Sequence, residues 1–205
     1  MSLEWGLRVK VWLRTVLVGL AVAALCGEAA AEVKVTVNKR DHVVHGTTAA
    51  ALVRSMNGNP VRGDHGNAYA SIHPNYNLSV KTKERGGQCR AEVSIRLNFT
   101  LILPKAANPG GMNSRTRSAW NSFANYARNH EAWHQSSYTG CAKSFVSQAE
   151  RMSAKQCFTL SSDIRTAFNK MKRDCEAKQL EYDRGQRSVV ARMSLFSMAR
   201  AQRRR

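Results

Sequence analysis

Acidic side chains are scarce in this 205-residue chain, which has 14 Asp and Glu against 32 Lys and Arg and a formal net charge of +18 at pH 7. Such an excess attracts anionic matter, including envelope polymers, phospholipid headgroups, nucleic acid and acidic substrates. We do not expect nucleic acid, because the chain lacks a recognised nucleic-acid-binding motif and any interleaving of aromatic with basic residues. The partners we expect are a peptide or protein substrate and an anionic envelope polymer or membrane surface.

Long apolar runs are missing too, apart from one near the start of the chain. Three basic residues precede an apolar run from Val16 to Leu25, and a stretch of small residues ends at Ala31. This order is typical of a signal peptide, residues 1–31, and the run is too short to remain as a membrane anchor. Lipid attachment at Cys26 is the alternative, but the lipoprotein peptidase needs a small residue where Leu25 stands. We therefore expect an exported protein, periplasmic or secreted.

Cys-x-x-Cys spacing is absent, which argues against a cysteine-ligated zinc. Four cysteines remain after the signal peptide, and an even number in an oxidising compartment favours two disulfides. Cys141 and Cys175 are equally far from Phe158, the start of a predicted loop over 158–162, so they would face each other on two antiparallel helices. The predicted pairs are Cys141–Cys175 and Cys89–Cys157.

The sharpest chemical feature that the chain does have is the run His-Glu-Ala-Trp-His at residues 130–134. Residues four apart lie on one face of a helix, so His130 and His134 can each offer a nitrogen to one tetrahedral Zn²⁺. Glu131 projects about 100° away from His130 and can act as a general base toward water whose pKa the metal lowers. The motif therefore predicts a zinc-dependent hydrolase of the zincin type.

Apolar residues around this motif recur at spacings of three, four and seven, as in a long helix with one buried face. Both histidines fall on that face, so the alternative is a core helix with two buried, hydrogen-bonded histidines. The glutamate beside the first histidine favours the metal site. The predicted stripe is Trp120, Phe123, Ala127, His130, His134, Cys141, Phe145 and Gln148.

The first half of the chain alternates as strands do, and the second half has helical periodicity. We expect an α+β domain over residues 32–187: an antiparallel or mixed sheet, a long active-site helix, and a C-terminal helix packed against it as a hairpin. The predicted strands are 33–37, 42–46, one or two within 68–82, and 89–103 ended by Pro104; the helices run from Thr47 or Thr48 to Met56, from Asn113 or Ser114 to about Gln156, and over 162–182, with a surface loop at 60–67.

Four histidines lie outside the motif and lack the spacing of a shared metal site. Two of them, His42 and His45, are three apart, which on a strand places them on opposite faces. We expect His42, His45, His65 and His73 to be ordinary surface or loop residues.

Several of these features together resemble an uncharacterised bacterial family known as predicted secreted zinc-dependent proteases. They are the Gly46-Thr47-Thr48 turn, Cys89 before a strand that closes on Leu103-Pro104, Trp120, the motif helix and the late Tyr182-Asp183 pair. The resemblance covers nearly all of the chain after the signal peptide. It implies a zincin-like domain with the metal on His130 and His134 and the base on Glu131.

The third metal ligand is the point at which the chain departs from known patterns. A catalytic zinc usually has three protein ligands and a water. The metzincin extension needs a glycine and a histidine where this chain has Ser137 and Gly140. In the resembling family a His-Gly follows the Tyr-Asp pair, whereas no histidine follows Asp183 here. We expect Asp183 to take this role, with Glu176 as the alternative; otherwise metal binding is weakened and activity is lost.

Residues 188–205 form a segment without a single acidic residue, in which apolar residues recur at helical spacing among arginines. We predict a basic amphipathic, Arg-rich tail. It would either lie on an anionic membrane surface or extend the last helix, dock on the core and end in a frayed arginine tail.

These features together predict a secreted zinc-dependent metalloprotease that hydrolyses peptide bonds with water activated by Glu131. The alternative is a catalytically weak or inactive zincin scaffold that binds anionic cell-envelope polymers through its basic surface.

Overall fold

The computed structural model describes residues 32–63 and 66–204. The predicted signal peptide and His65 lie outside these residues. The described part is mixed α+β, as predicted. Its elements are β1 (Glu32–Val44), α1 (Ala49–Gly58), β2 (Val61–Gly63), β3 (Gly66–Ala68), β4 (Ser71–Arg85), β5 (Gln88–Ala106), α2 (Ser114–Glu150), β6 (Ser153–Ala154), α3 (Cys157–Arg192) and α4 (Ser194–Arg203).

The sheet is built around β5, in which buried and more exposed residues alternate from Cys89 to Leu101. β1 pairs with β5 in parallel, β4 pairs with it antiparallel, and β6 adds a short antiparallel pair near its start. The buried face of β5 packs against α2 and α3. This one-sided burial explains why the strand was predictable from its alternation.

Two long helices, α2 and α3, form the predicted antiparallel hairpin. The side chain of Asn113 caps α2 by accepting a hydrogen bond of 2.8 Å from the backbone N–H of Thr116. The helix then runs without a break through Gly140. Two contacts show that α2 and α3 run antiparallel. Tyr126 near the start of α2 contacts Gln186 near the end of α3, and Cys141 further along α2 contacts Cys175, which comes earlier on α3.

Two clusters of buried side chains make up the core, and α2 belongs to both. One cluster joins the sheet to α3 and to the second half of α2, including Tyr138. The other joins α1, α4 and the first half of α2, including Phe123. The His-Glu-Ala-Trp-His segment lies between these two positions. Packing on both sides therefore fixes the rotation of the turns that carry the motif.

Several predicted strand boundaries are wrong. The two strands predicted at 33–37 and 42–46 are one strand, β1, from Glu32 to Val44. In place of the loop predicted at 60–67, β2 and β3 pair antiparallel. β5 continues through Pro104 to Ala106. Proline is tolerated there because β4 begins opposite Ile102, so only β1 still pairs with β5 and the position without an N–H can face the open side.

The predicted loop over residues 158–162 is also wrong, because α3 already begins at Cys157. Leu160 and Ile164 are four residues apart and both buried. Their packing outweighs the modest helix propensity of the serines between them. On α2, the predicted stripe holds except at its end, where Ala149 is buried and Gln148 is exposed, as a repeat of 3.6 residues requires.

Residues 188–205 were predicted to lie on a membrane surface or to extend the last helix and dock on the core. Residues 188–192 continue α3. α4 docks on α1 through buried Leu195, Phe196 and Ala199, and the Ala50 N–H donates a hydrogen bond of 2.9 Å to Gln202 Oε1. The docked alternative is therefore the one that the structure adopts.

Two disulfides join the predicted pairs. Cys89–Cys157 ties β5 to the start of α3, and Cys141–Cys175 ties α2 to the middle of α3. Disulfides of this kind are compatible with an oxidising, extracytoplasmic environment. Within residues 32–63 and 66–204, none of the helices has the length and apolar character needed to cross a membrane.

Candidate metal centre

The α2–α3 hairpin brings three potential ligand atoms together. His130 and His134 lie one turn apart on α2, and Asp183 faces them from α3. Asp183 Oδ1 is 3.0 Å from His130 Nε2 and 2.9 Å from His134 Nε2, and the two Nε2 atoms are 3.0 Å apart. The predicted histidines and the preferred third ligand therefore form a nearly equilateral triangle.

Gln179 determines which nitrogen His134 offers to this triangle. It lies one turn before Asp183 on α3 and is 1% exposed. Its Nε2 donates to the backbone carbonyl of Cys175 at 3.0 Å, and a carbonyl can only accept, so the amide oxygen must face His134. That oxygen accepts a hydrogen bond of 2.8 Å from His134 Nδ1. The neutral ring therefore carries its proton on Nδ1 and presents a bare lone pair at Nε2.

The chemistry of the three donor atoms fits a bound cation. Nε2 of neutral His134 and the oxygen of ionised Asp183 both offer lone pairs, and no proton lies between them. Hydrogen bonds alone therefore do not account for the close approach of all three atoms. Ligand atoms of a tetrahedral zinc with 2.0–2.1 Å bonds lie roughly 3.3 Å apart, close to the separations observed. All three atoms belong to one group of metal-ligand type, His130, His134 and Asp183. This group could hold a metal ion.

The electrostatics of the metal-free site follow from its burial and from the three close contacts. Burial raises the pKa of Asp183, but the hydrogen bonds from His130 and from the protonated form of His134 outweigh it and hold that pKa well below its usual range. Burial also lowers the pKa of His134, but the hydrogen bonds with Asp183 and Gln179 outweigh it and raise the pKa. The carboxylate is therefore ionised across the neutral range, as a ligand must be.

Glu131 lies beside the triangle and is only 5% exposed. Burial raises its pKa to about 7, opposed by the charges of His130 and His134. Because a general base works best when its pKa lies near the working pH, this environment suits proton transfer. Glu131 is the one buried carboxylate among the described residues, and its environment is the one expected for that role.

Glu176, the alternative third ligand, is not part of the triangle. Glu176 lies two turns before Asp183 on α3, and it accepts a hydrogen bond of 2.9 Å from Tyr138 Oη. The α-helical rise places its Cα roughly 10 Å along the axis from that of Asp183. The structure therefore brings Asp183, and not Glu176, to the histidines.

A cavity of about 560 Å³ opens onto these residues. His130, Glu131, His134 and Asp183 form part of its wall, and the cavity extends along the α2–α3 hairpin toward α4. β2 and β3 contribute Gly63 and Gly66 to the cavity wall. A ligand in this cavity would contact the candidate base and the candidate metal ligands together.

Residues 39–188 match the model of a bacterial family described as "Bacterial protein of unknown function (DUF922)". The chain belongs to this family. No curated protein and no solved structure matches it. The match covers the motif, Gln179, Asp183 and all four disulfide cysteines, whereas α4 lies beyond it.

Aromatic side chains enclose the centre of this DUF922 chain on the side of α3. Tyr182 stacks on Trp133, with ring centroids 3.6 Å apart and planes 10° from parallel, and its ring also lies 5.1 Å from that of His130. The ring of Tyr126 lies 5.9 Å from that of His130, and its hydroxyl donates a hydrogen bond of 3.0 Å to Gln186 Oε1. Such packing limits rotation of the imidazole before any ligand binds.

The sequence interpretation missed two residues near the centre. His73, predicted to be an ordinary surface residue, is half-buried on β4, and its charge lowers the pKa of Glu131. It is held by a contact of 3.0 Å between its Nε2 and the Arg62 carbonyl. Gln179 was missed because glutamine has no ligand spacing of its own. Its position one turn before Asp183 was the available signal.

Proposed function

We propose that this chain is an exported zinc-dependent metallopeptidase that hydrolyses peptide bonds. In this proposal His130, His134 and Asp183 hold the ion and Glu131 is the general base. The observation that carries the proposal is the approach of three ligand atoms within 3.0 Å of one another beside a buried carboxylate. The His-Glu-x-x-His spacing favours zinc over other divalent metals.

Each residue has a defined task in the reaction. Bound zinc supplies Lewis acidity, which makes water easier to deprotonate and the scissile carbonyl easier to attack. Glu131 takes the proton from the attacking water on a carboxylate oxygen and later gives it to the leaving amine nitrogen. Gln179 keeps the His134 Nε2 lone pair directed at the metal position.

Export and the peptide substrate belong to the same proposal. The two disulfides and the signal-peptide pattern support an extracytoplasmic location, periplasmic or secreted. The cavity of about 560 Å³ is large enough for several atoms of a peptide on each side of a bond. We therefore expect the substrate to be a peptide or an unfolded protein segment.

The decisive variant is Glu131→Gln, which removes the base and keeps a side chain of nearly the same shape. Hydrolysis of a fluorescently labelled unfolded protein should be lost, because no group remains to take the proton from water. Zinc content by elemental analysis should stay at the wild-type value. Glu181→Gln, at an exposed position on α3, is the matched control and should keep full activity.

The second candidate is an inactive scaffold that binds anionic envelope polymers, and the net charge of +18 is the observation in its favour. This candidate predicts association with polyanions that weakens as salt increases and that Glu131→Gln leaves unchanged. Zinc-bound protein without hydrolysis of any peptide would favour it over the peptidase.

A further inference from the structure

The cavity that contains the candidate metal centre also holds two arginines. Arg187 lies one turn after Asp183 on α3, and Arg200 lies on α4. Both line the cavity. Among the described residues that line it, Glu131 and Asp183 are the acidic ones, and both belong to the centre itself. The wall beyond the centre is therefore cationic.

Apolar side chains line the same part of the cavity as the arginines. Phe123 and Ala127 lie on α2, two turns and one turn before Glu131, and Val190 and Phe196 contribute from α3 and α4. Because α2 and α3 are antiparallel, these residues and Arg187 all lie in the same direction from the centre. The α-helical rise places the Cα of Arg187 about 6 Å along α3 from that of Asp183.

Both guanidinium groups are available to a ligand. The two arginines are exposed at their positions, and neither forms a salt bridge within the part of the chain that the structure describes. Arginine is well suited to such a role because its planar group donates two parallel hydrogen bonds to a carboxylate.

We propose that Arg187 and Arg200 form a subsite for a carboxylate of the substrate, beside an apolar subsite formed by Phe123, Ala127, Val190 and Phe196. The proposal rests on the peptidase function proposed above. Preferred substrates then carry an apolar residue and an anionic group next to each other, close to the scissile bond. The carboxylate can come from an acidic side chain or from the free C-terminus of the peptide.

The test uses three peptide hydroxamates of equal length, since a hydroxamate anchors to zinc without being hydrolysed. Each has leucine next to the hydroxamate. The following residue is glutamate with an amidated end in the first, glutamine with a free carboxyl end in the second, and glutamine with an amidated end in the third. Calorimetry measures the affinity of each for the zinc-loaded full chain.

We expect one of the two carboxylate probes to bind about tenfold more tightly than the neutral probe. Whichever does so identifies the source of the carboxylate. In the double variant Arg187→Gln/Arg200→Gln this advantage should disappear, while zinc content and affinity for the neutral probe stay unchanged.

The matched control is Arg165→Gln/Arg173→Gln, which removes the same charge from exposed positions on α3 outside the cavity wall. It should keep the tenfold preference. Equal binding of all three probes to the wild type would overturn the subsite, and so would equal loss of preference in both double variants. Failure of the proposed function looks different: the chain takes up no zinc and binds none of the probes, and the subsite is then rejected with it.

Discussion

Gln179 Oε1 accepts a hydrogen bond of 2.8 Å from His134 Nδ1, so a residue outside the motif sets the nitrogen that the motif histidine presents. The amide is itself fixed, because its Nε2 donates to the Cys175 carbonyl and to Ser137 Oγ. Four residues on two helices therefore form one connected support for the centre.

Gln179→Leu should weaken zinc binding by about 10- to 100-fold, because it removes the acceptor that orients His134 and leaves a buried N–H unsatisfied. Competition with a fluorescent zinc chelator measures the dissociation constant. Gln179→Glu keeps the acceptor and should recover most of the affinity. Gln148→Leu, at an exposed position on α2, is the control. Equal zinc affinity in wild type and Gln179→Leu would show that this support is unimportant.

The two candidates for the third ligand can be separated by a pair of substitutions. Asp183→Ala should abolish stable zinc binding, since only two imidazoles then remain. Glu176→Ala should keep it, because Glu176 contacts Tyr138 and lies outside the triangle. Both measurements use elemental analysis of dialysed protein. Zinc lost on Glu176→Ala and kept on Asp183→Ala would reverse the assignment.

Glu131 makes the stability of the metal-free protein depend on pH. Its pKa rises from 4.5 to about 7 on folding, chiefly through burial. Between pH 4.5 and about 7, the folded state therefore holds a proton that the unfolded chain has released. This contribution to stability is complete below pH 4.5 and is lost as the pH rises through about 7.

We expect the free energy of unfolding of the metal-free chain to fall by about 3 kcal/mol across this window. The raised pKa of His134 acts in the same direction, whereas the lowered pKa of Asp183 contributes stability that is lost only at lower pH. Denaturant unfolding at a series of pH values measures the effect. Glu131→Gln should flatten most of the slope, and parallel profiles for both proteins would contradict the account.

The two disulfides should differ in their effect on the metal centre. They close segments with sequence separations of 34 and 68 residues, so removing either should cost about 4 kcal/mol of stability by the loop-entropy relation. Cys141→Ala/Cys175→Ala should also weaken zinc affinity, because it removes the contact of 3.6 Å between Gln179 Nε2 and Cys175 Sγ and the cross-link between α2 and α3 next to Gln179. Cys89→Ala/Cys157→Ala should leave that affinity unchanged. If both double variants bind zinc with equal affinity, the Cys141–Cys175 disulfide has no specific effect on the metal centre.

Much of this site could be anticipated from the sequence because it depends on local spacing. His130, Glu131 and His134 share one helix, and their relative placement follows from its repeat. The Cys141–Cys175 pair was predicted correctly. The reasoning behind it was incomplete, because α2 ends at Glu150 and α3 begins at Cys157, so the two cysteines are not equally far from the helix ends. Asp183 was singled out only through its place beside Tyr182.

The remaining features depend on tertiary packing that no local pattern reveals. Gln179 is an unremarkable glutamine in sequence, and its role comes from the depth at which α3 packs on α2. His73 lies near Glu131 only because β4 pairs with β5 in a particular register. The position of α4 also depends on tertiary packing, because its amphipathic pattern fits either a membrane surface or the core. In the structure it packs against α1.

Zinc stoichiometry is the measurement that tests the central claim most directly. Elemental analysis of the purified chain after dialysis should give about one zinc per molecule, because the site has three protein ligands. Glu131→Gln should keep that value, and His134→Ala should lose it. Failure of the wild-type chain to take up zinc, even after incubation with excess metal, would contradict the assignment of His130, His134 and Asp183 as a metal centre.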